Sequence, residues 1–137
     1  MRKLIALLIN FVCVLVFTSC DINAPLRNKM LDYYSNNQNY VTLVGEVIEI
    51  DESFVVIKCE ELMDYINYET ELSSYCIYSE TLLELKVGEQ IEFTTVPFHF
   101  YNGHVLPIVE LQVNGNALLS FEEGKDNLID WVNSTFK

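Results

Sequence analysis

Residues 40–59 constrain the fold of this chain more than any other stretch. The inward apolar residues before Gly45 are Val41 and Leu43, whereas Val44, Ile48 and Ile50 lie on the opposite strand face and are predicted to form the inward series from there on. A strand that changes face needs an extra residue in its ladder, and glycine has the backbone freedom to allow it. We therefore predict a strand with a bulge near Gly45, a polar turn, and a returning strand over residues 54–59. Small closed barrels need such a bend.

Three further strands and two helices are predicted downstream. The strands are residues 75–78, residues 90–96 and a run that follows the Asn102-Gly103 turn and ends at Val113, before a predicted Asn114-Gly115-Asn116 turn. The helices are residues 79–85 and 127–135. Asn-Gly between two β-rich runs is typical of a type I′ hairpin turn. Ile91 and Phe93 are predicted to point inward from residues 90–96. Phe98 lies at a position of the opposite parity, so a second bulge is predicted at Pro97. Residues 60–74 are interpreted as an insertion.

The first nineteen residues have the pattern of an export signal. Arg2 and Lys3 precede an apolar run over residues 4–17 that only Asn10 interrupts, and small polar residues then lead to Cys20. This order of a positive start, an apolar run and small residues is typical of a signal peptide. The run is shorter than the roughly 20 apolar residues that a membrane span needs.

The order Phe17-Thr18-Ser19-Cys20 resembles the lipobox of bacterial lipoproteins. The resemblance implies that Cys20 is acylated and anchors the chain on the extracytoplasmic side of the cell membrane. An uncleaved membrane anchor and ordinary signal cleavage are the alternatives, and all three place the body outside the cytoplasm. Residues 1–19 are then the signal, residues 20–39 a tether with a short helix of two turns, and residues 40–137 the domain.

The charge of the mature chain disfavours polyanionic partners. Arg2 and Lys3 leave with the signal, so the formal net charge changes from −12 to −14. Nucleic-acid affinity comes mostly from cations that neutralise phosphates, and the remaining Lys and Arg form no basic stripe. The acidity is typical of a soluble surface that resists aggregation.

Cys59 and Cys76 are the two cysteines that remain once the signal and Cys20 are set aside. An even pair in an exported domain favours a disulfide, and the alternative is two buried thiols. A bridge would close a loop of about sixteen residues and would stabilise the fold by about 3 kcal/mol.

No pattern of catalytic, metal-binding or cofactor-binding residues is present in the sequence. The acidic pairs Asp51-Glu52, Glu60-Glu61 and Glu122-Glu123 are neighbours in turns or loops, whereas a carboxylate pair in catalysis must face one cleft. His99 and His104 are the only histidines, and Glu110 is the nearest carboxylate on their strand face. We interpret this pair as histidines exposed to solvent. The alternatives are a pH-sensitive contact and a metal site.

Exposed aromatic residues are the better candidates for a partner contact, because tyrosine suits protein and sugar surfaces. The candidate contact residues are Tyr75, Tyr78, His99, Tyr101 and His104. The alternative is that the tyrosines are half-buried strand residues and that Phe98 and Phe100 belong to the core.

Three stretches resemble small bacterial OB-fold lipoproteins, including the group named for its likeness to tRNA-anticodon-binding domains. They are Val44-Gly45-Glu46-Val47-Ile48, Tyr75-Cys76-Ile77-Tyr78 and residues 82–91. The resemblance implies a mainly β fold: a five-stranded OB-type barrel with a short helix between strands 3 and 4 and a C-terminal helix. We expect a membrane-anchored, non-enzymatic binding or assembly module with an envelope protein as its partner. The alternative is an OB-face binder of an oligonucleotide or a glycan.

Overall fold

The computed structural model describes residues 23–51, 54–61, 72–76, 84–98 and 105–137. Within these ranges the chain forms helices at both ends and a sheet between them. In chain order the elements are α1 (Ala24–Ser35), a 3₁₀ turn (Asn37–Asn39), β1 (Val41–Ile50), β2 (Phe54–Lys58), β3 (Leu72–Cys76), β4 (Gln90–Thr95), β5 (Val105–Val113), β6 (Asn116–Leu119) and α2 (Phe121–Thr135).

The strands belong to one sheet with the order β3-β2-β1-β4-β5-β6. Every neighbouring pair in this order is antiparallel. In addition, β3 pairs with β5 in parallel, with Ser73 opposite Val105 and Cys76 opposite Ile108. The prediction of a mainly β fold with a C-terminal helix is confirmed.

The strand β6 was not predicted from the sequence. It forms a hairpin with β5 through Asn114 and Gly115, whose φ angles are 51° and 79°. Positive φ at both central residues is the requirement of a type I′ turn, which Asn-Gly meets at low cost. The turn was predicted here, but the four residues after it were too few to show a strand pattern.

The bulge in β1 follows Val47, beyond the position near Gly45 that the sequence predicted. Val47 lies opposite Ile57 and Glu49 lies opposite Val56, which leaves Ile48 as the extra residue. Gly45 instead allows close approach of β2. A Cβ atom there would meet the side chain of Ile57 and would lie 3.0 Å from the carbonyl oxygen of Lys58.

The second bulge lies on β5 rather than at Pro97. Thr94 lies opposite Glu110 and Thr95 lies opposite Ile108, so Val109 is the extra residue. The hydroxyl of Thr95 donates a hydrogen bond to the carbonyl oxygen of Pro107 at 2.7 Å. This bond satisfies a buried carbonyl group where the ladder is irregular.

Two apolar clusters stabilise the fold. The sheet-side cluster contains Leu43, Val47, Val55, Ile57, Cys59, Leu85, Ile91, Phe93, Leu106, Ile108, Leu111, Val113 and Leu119. The helix-side cluster contains Met30, Tyr34, Val96, Val109, Leu128 and Val132. Because β5 contributes to both clusters, its sequence is an almost continuous apolar run.

Helix α1 lies within residues 20–39, which were predicted to be a tether with a short helix, and it packs into the helix-side cluster. It runs for 12 residues, more than the two turns expected, and buries Met30 and Tyr34 completely or almost so. Helix α2 begins at Phe121, ahead of the predicted start at residue 127. Gly124 weakens the helical pattern of that first turn in the sequence, because glycine has low helix propensity.

Several predicted features lie outside the described residues. They are the signal sequence of residues 1–19, most of the predicted helix at residues 79–85, the Asn102-Gly103 turn, and residues 62–71 of the insertion. The end of that insertion is strand, since β3 begins at Leu72.

Candidate functional site

An open groove of ≈ 330 Å³ lies where β1, the end of β2 and the start of β4 meet. Its lining residues are Val44, Gly45, Glu46, Lys58, Glu60, Glu61 and Gln90. Glu46 lies opposite Lys58 on one neighbouring strand and opposite Gln90 on the other. These three side chains therefore form a polar row across three strands, since directly opposite residues share a sheet face.

Val44 gives the groove an apolar patch. Its side chain is 50% exposed, and its neighbours in β1, Leu43 and Gly45, are buried. Val44 was expected to point inward. The sequence does identify the inward face if Gly45 is counted as an inward position. The inward residues then alternate without interruption: Val41, Leu43, Gly45 and Val47.

The groove has an excess of negative charge. The carboxylates of Glu46, Glu60 and Glu61 line it together with a single ammonium group, that of Lys58. The whole chain has a formal net charge of −12. Such a surface attracts cationic groups and repels phosphates.

The residues predicted to contact a partner are not brought together by the described part of the structure. Tyr78, His99, Tyr101 and His104 lie outside it, as does the lipidation candidate Cys20. Tyr75 lies in β3, where its backbone is opposite Phe54 on one side and Pro107 on the other. The contact face formed by these residues stays a prediction.

The register of β2 and β3 separates Cys59 from Cys76. In this antiparallel pair Ile57 lies opposite Leu72. Cys59 follows Ile57 by two residues, and Cys76 lies four residues from Leu72 in the opposite direction along the sheet. At about 3.3 Å per residue the two Cα atoms are about 20 Å apart, whereas a disulfide needs them within about 7 Å. The expected Cys59–Cys76 disulfide does not fit this register.

A chain of hydroxyl groups connects β1, β4 and β5. The Thr94 hydroxyl donates to the Oε2 atom of Glu110 at 2.7 Å, and the hydroxyl oxygens of Thr94 and Thr42 are 2.9 Å apart. Because the Thr94 hydroxyl hydrogen goes to Glu110, Thr42 is the donor to Thr94. Glu110, which the sequence pattern placed on the strand face of the two histidines, is therefore hydrogen-bonded within the sheet.

Phe98 packs against α1 while keeping an exposed surface. Its ring centroid is 5.0 Å from that of Tyr33, and its side chain is 42% exposed. Tyr33 is packed in turn against the helix-side cluster. Phe98 is thus neither a core residue nor an unsupported surface aromatic.

Within the described ranges, no three or more His, Cys, Asp or Glu side chains converge as a metal site requires. Likewise, no described helix is both long enough and apolar enough to cross a bilayer. Comparison with protein-family models, curated proteins and solved structures found no match for this chain.

Proposed function

We propose that this protein is a lipoprotein anchored through Cys20 on the extracytoplasmic side of the cell membrane, where its domain acts as a non-enzymatic binding or assembly module. The signal pattern of residues 1–19 and the sequence Phe17-Thr18-Ser19-Cys20 support the anchor. Processing that is blocked by globomycin, an inhibitor of lipoprotein signal cleavage, and that is lost in Cys20→Ser would test it. Normal processing of Cys20→Ser would contradict lipidation.

The domain is, in this proposal, an OB-type five-stranded barrel. The strand pairings support it, because β3 pairs with both β2 and β5 and so links the order β1-β2-β3-β5-β4 back to β1. An OB barrel is a five-stranded, partly open Greek-key barrel. Since one fold hosts many functions, the groove rather than the fold indicates what the domain binds.

The groove suits a cationic segment of an envelope protein. The observation that carries this proposal is the arrangement of Glu46, Glu60 and Glu61 around an open groove that also exposes Val44. Lysine and arginine place a charged head at the end of an aliphatic stem. The carboxylates would bind the head by charge-assisted hydrogen bonds, while Val44 would contact the stem.

The groove gives less support to the alternative function, binding of an oligonucleotide. Lys58 is the one cation among its lining residues, and phosphate binding depends on several cations. Binding of a neutral glycan by the β2–β3 face is the remaining alternative. It predicts contacts on β2, β3 and the adjacent loops that do not depend on the charges of Glu60 and Glu61.

Photo-crosslinking in the native membrane tests the proposal. A benzoylphenylalanine residue replaces Val44 in one variant and Ala117, which is exposed on β6, in the control. We expect an adduct with an envelope protein from position 44 and none from position 117. Glu60→Gln with Glu61→Gln should weaken the adduct severalfold, since both carboxylates line the groove.

The matched charge control is Glu122→Gln with Glu123→Gln, an adjacent acidic pair in the first turn of α2. It should leave the adduct at position 44 unchanged. Equal loss with both acidic pairs would indicate a general charge effect rather than binding in the groove. Oligonucleotide binding that increases when Glu60 and Glu61 are neutralised would favour the alternative function.

A further inference from the structure

The two ends of the described chain meet at one end of the helix pair. The side-chain amide of Asn23 donates to the backbone oxygen of Lys137 at 3.4 Å. Arg27 donates through Nη1 to the carbonyl oxygen of Phe136 at 3.1 Å. The start of α1 and the end of α2 therefore form one surface, which we call the terminal face: Asn23, Arg27, Trp131, Phe136 and Lys137.

The terminal face combines aromatic rings with cations. The rings of Trp131 and Phe136 are in edge-to-face contact, with centroids 5.8 Å apart and planes at 87°. Both side chains are partly exposed, and Lys137 is exposed. Tryptophan is enriched at the membrane interface, where one part of the ring is apolar and another is wet. Arginine and lysine near a membrane surface are attracted to anionic headgroups.

The short segment between Cys20 and Asn23 places the terminal face near the bilayer once Cys20 is acylated. Asn23 is the third residue after Cys20. Since an extended chain spans at most about 3.6 Å per residue, the Cα atoms of Cys20 and Asn23 are no more than about 11 Å apart. The headgroup region on each side of a bilayer is about 5 to 8 Å thick. Helix α1, which starts at Ala24, must therefore begin close to the membrane surface.

We propose that the terminal face is a lipid-binding surface, seated in the headgroup layer so that Trp131 and Phe136 reach the acyl boundary and Arg27 and Lys137 contact lipid phosphates. This proposal rests on the acylation of Cys20. It gives the domain a defined orientation on the membrane in place of free movement on a tether. Partners then approach from the side away from the terminal face.

Trp131 is the only tryptophan in the chain, so its fluorescence reports on this face alone. The full acylated protein is reconstituted in vesicles of phosphatidylethanolamine and phosphatidylglycerol, with and without bromine on the acyl chains. We expect brominated lipid to quench Trp131 emission. We also expect the emission to shift to shorter wavelength relative to Cys20→Ser protein in solution.

The control moves the reporter to a distant exposed position. The variant carries Trp131→Phe with Val87→Trp, because Val87 is 65% exposed and lies in the loop before β4. We expect no quenching of this variant by brominated lipid. Quenching of both proteins to the same extent would overturn a defined orientation.

Mass spectrometry of the same samples separates the two proposals. Acylated Cys20 together with unquenched Trp131 would overturn the lipid-binding surface and leave the anchor intact. Unmodified Cys20 would overturn the anchor, and the lipid-binding surface with it.

Discussion

Lys125, near the start of α2, donates a hydrogen bond from Nζ to the carbonyl oxygen of Ser35 at the end of α1, across 3.0 Å. Arg27 makes the reciprocal contact, from the first turn of α1 to Phe136 at the end of α2. Neither helix has a basic residue in its own last turn. The C-terminal carbonyl groups of each helix are therefore stabilised by a cation from the other helix. These two contacts join the helices at both ends.

We expect Lys125→Met to lower the free energy of unfolding by about 0.3 to 1 kcal/mol, because the end of α1 loses its cation. Urea denaturation measures the change. Lys29→Met is the control, since Lys29 is exposed in the middle of α1, and its effect should stay within about 0.5 kcal/mol. A loss of the same size in the control would indicate a general charge effect.

Gly124→Ala should destabilise the protein, although glycine to alanine within a helix normally stabilises by up to about 1 kcal/mol. An added Cβ at Gly124 would meet the backbone of Val109, including its Cα atom at 2.7 Å. Overpacking of this kind costs about 1 to 3 kcal/mol. Thermal and urea unfolding give the sign, and Asp126→Ala, at an exposed position of the same helix, is the control. A stabilising Gly124→Ala would show that α2 does not rest on the bulge of β5.

We expect the protein to lose stability at alkaline pH because of Tyr40. Its hydroxyl donates to the carbonyl oxygen of Tyr34 at 2.7 Å, and burial raises the pKa of the Tyr40 hydroxyl above its usual range. The folded state thus keeps a proton that the unfolded chain gives up above about pH 10. The contribution is fully present below that pH and falls as the pH rises further.

Tyr40→Phe should therefore cost about 1 kcal/mol at neutral pH through the lost hydrogen bond, and should reduce the decline in stability at alkaline pH. Unfolding free energies measured between about pH 8 and about pH 11 test this, a range that brackets the usual tyrosine pKa. Tyr33→Phe, on α1, is the matched control and should keep the decline. An unchanged decline in Tyr40→Phe would assign it to another group.

The two faces of β1 are tested by one substitution at two positions. Val47 is fully buried and Val44 is 50% exposed. Val47→Thr should cost about 1 to 3 kcal/mol, because a hydroxyl would enter the sheet-side cluster. Val44→Thr should change stability by no more than about 0.5 kcal/mol. A larger loss of stability from Val44→Thr than from Val47→Thr would indicate that Val44 points inward, as the sequence pattern suggested.

Much of the β architecture was predictable from local patterns. Ile91 and Phe93 are buried in β4 as predicted, and the Asn114-Gly115 turn has the φ angles that its residues favour. Such features depend on residues that are close together in the sequence, so the sequence pattern predicts them directly. The groove was missed because its residues come from three separate strands, and because Val44 was placed on the wrong face.

The sequence by itself determined the mainly β class, the C-terminal helix and the acidic character of the chain, because these follow from alternation, helical periodicity and composition. Only the tertiary structure decided where the strand ladders are irregular. An extra residue is accommodated where packing requires it: at Ile48, next to the close contact between Gly45 and β2, and at Val109, beneath Gly124. It also decided what α1 packs against, since Met30 and Tyr34 become a buried face only once α2 and β5 are beside them.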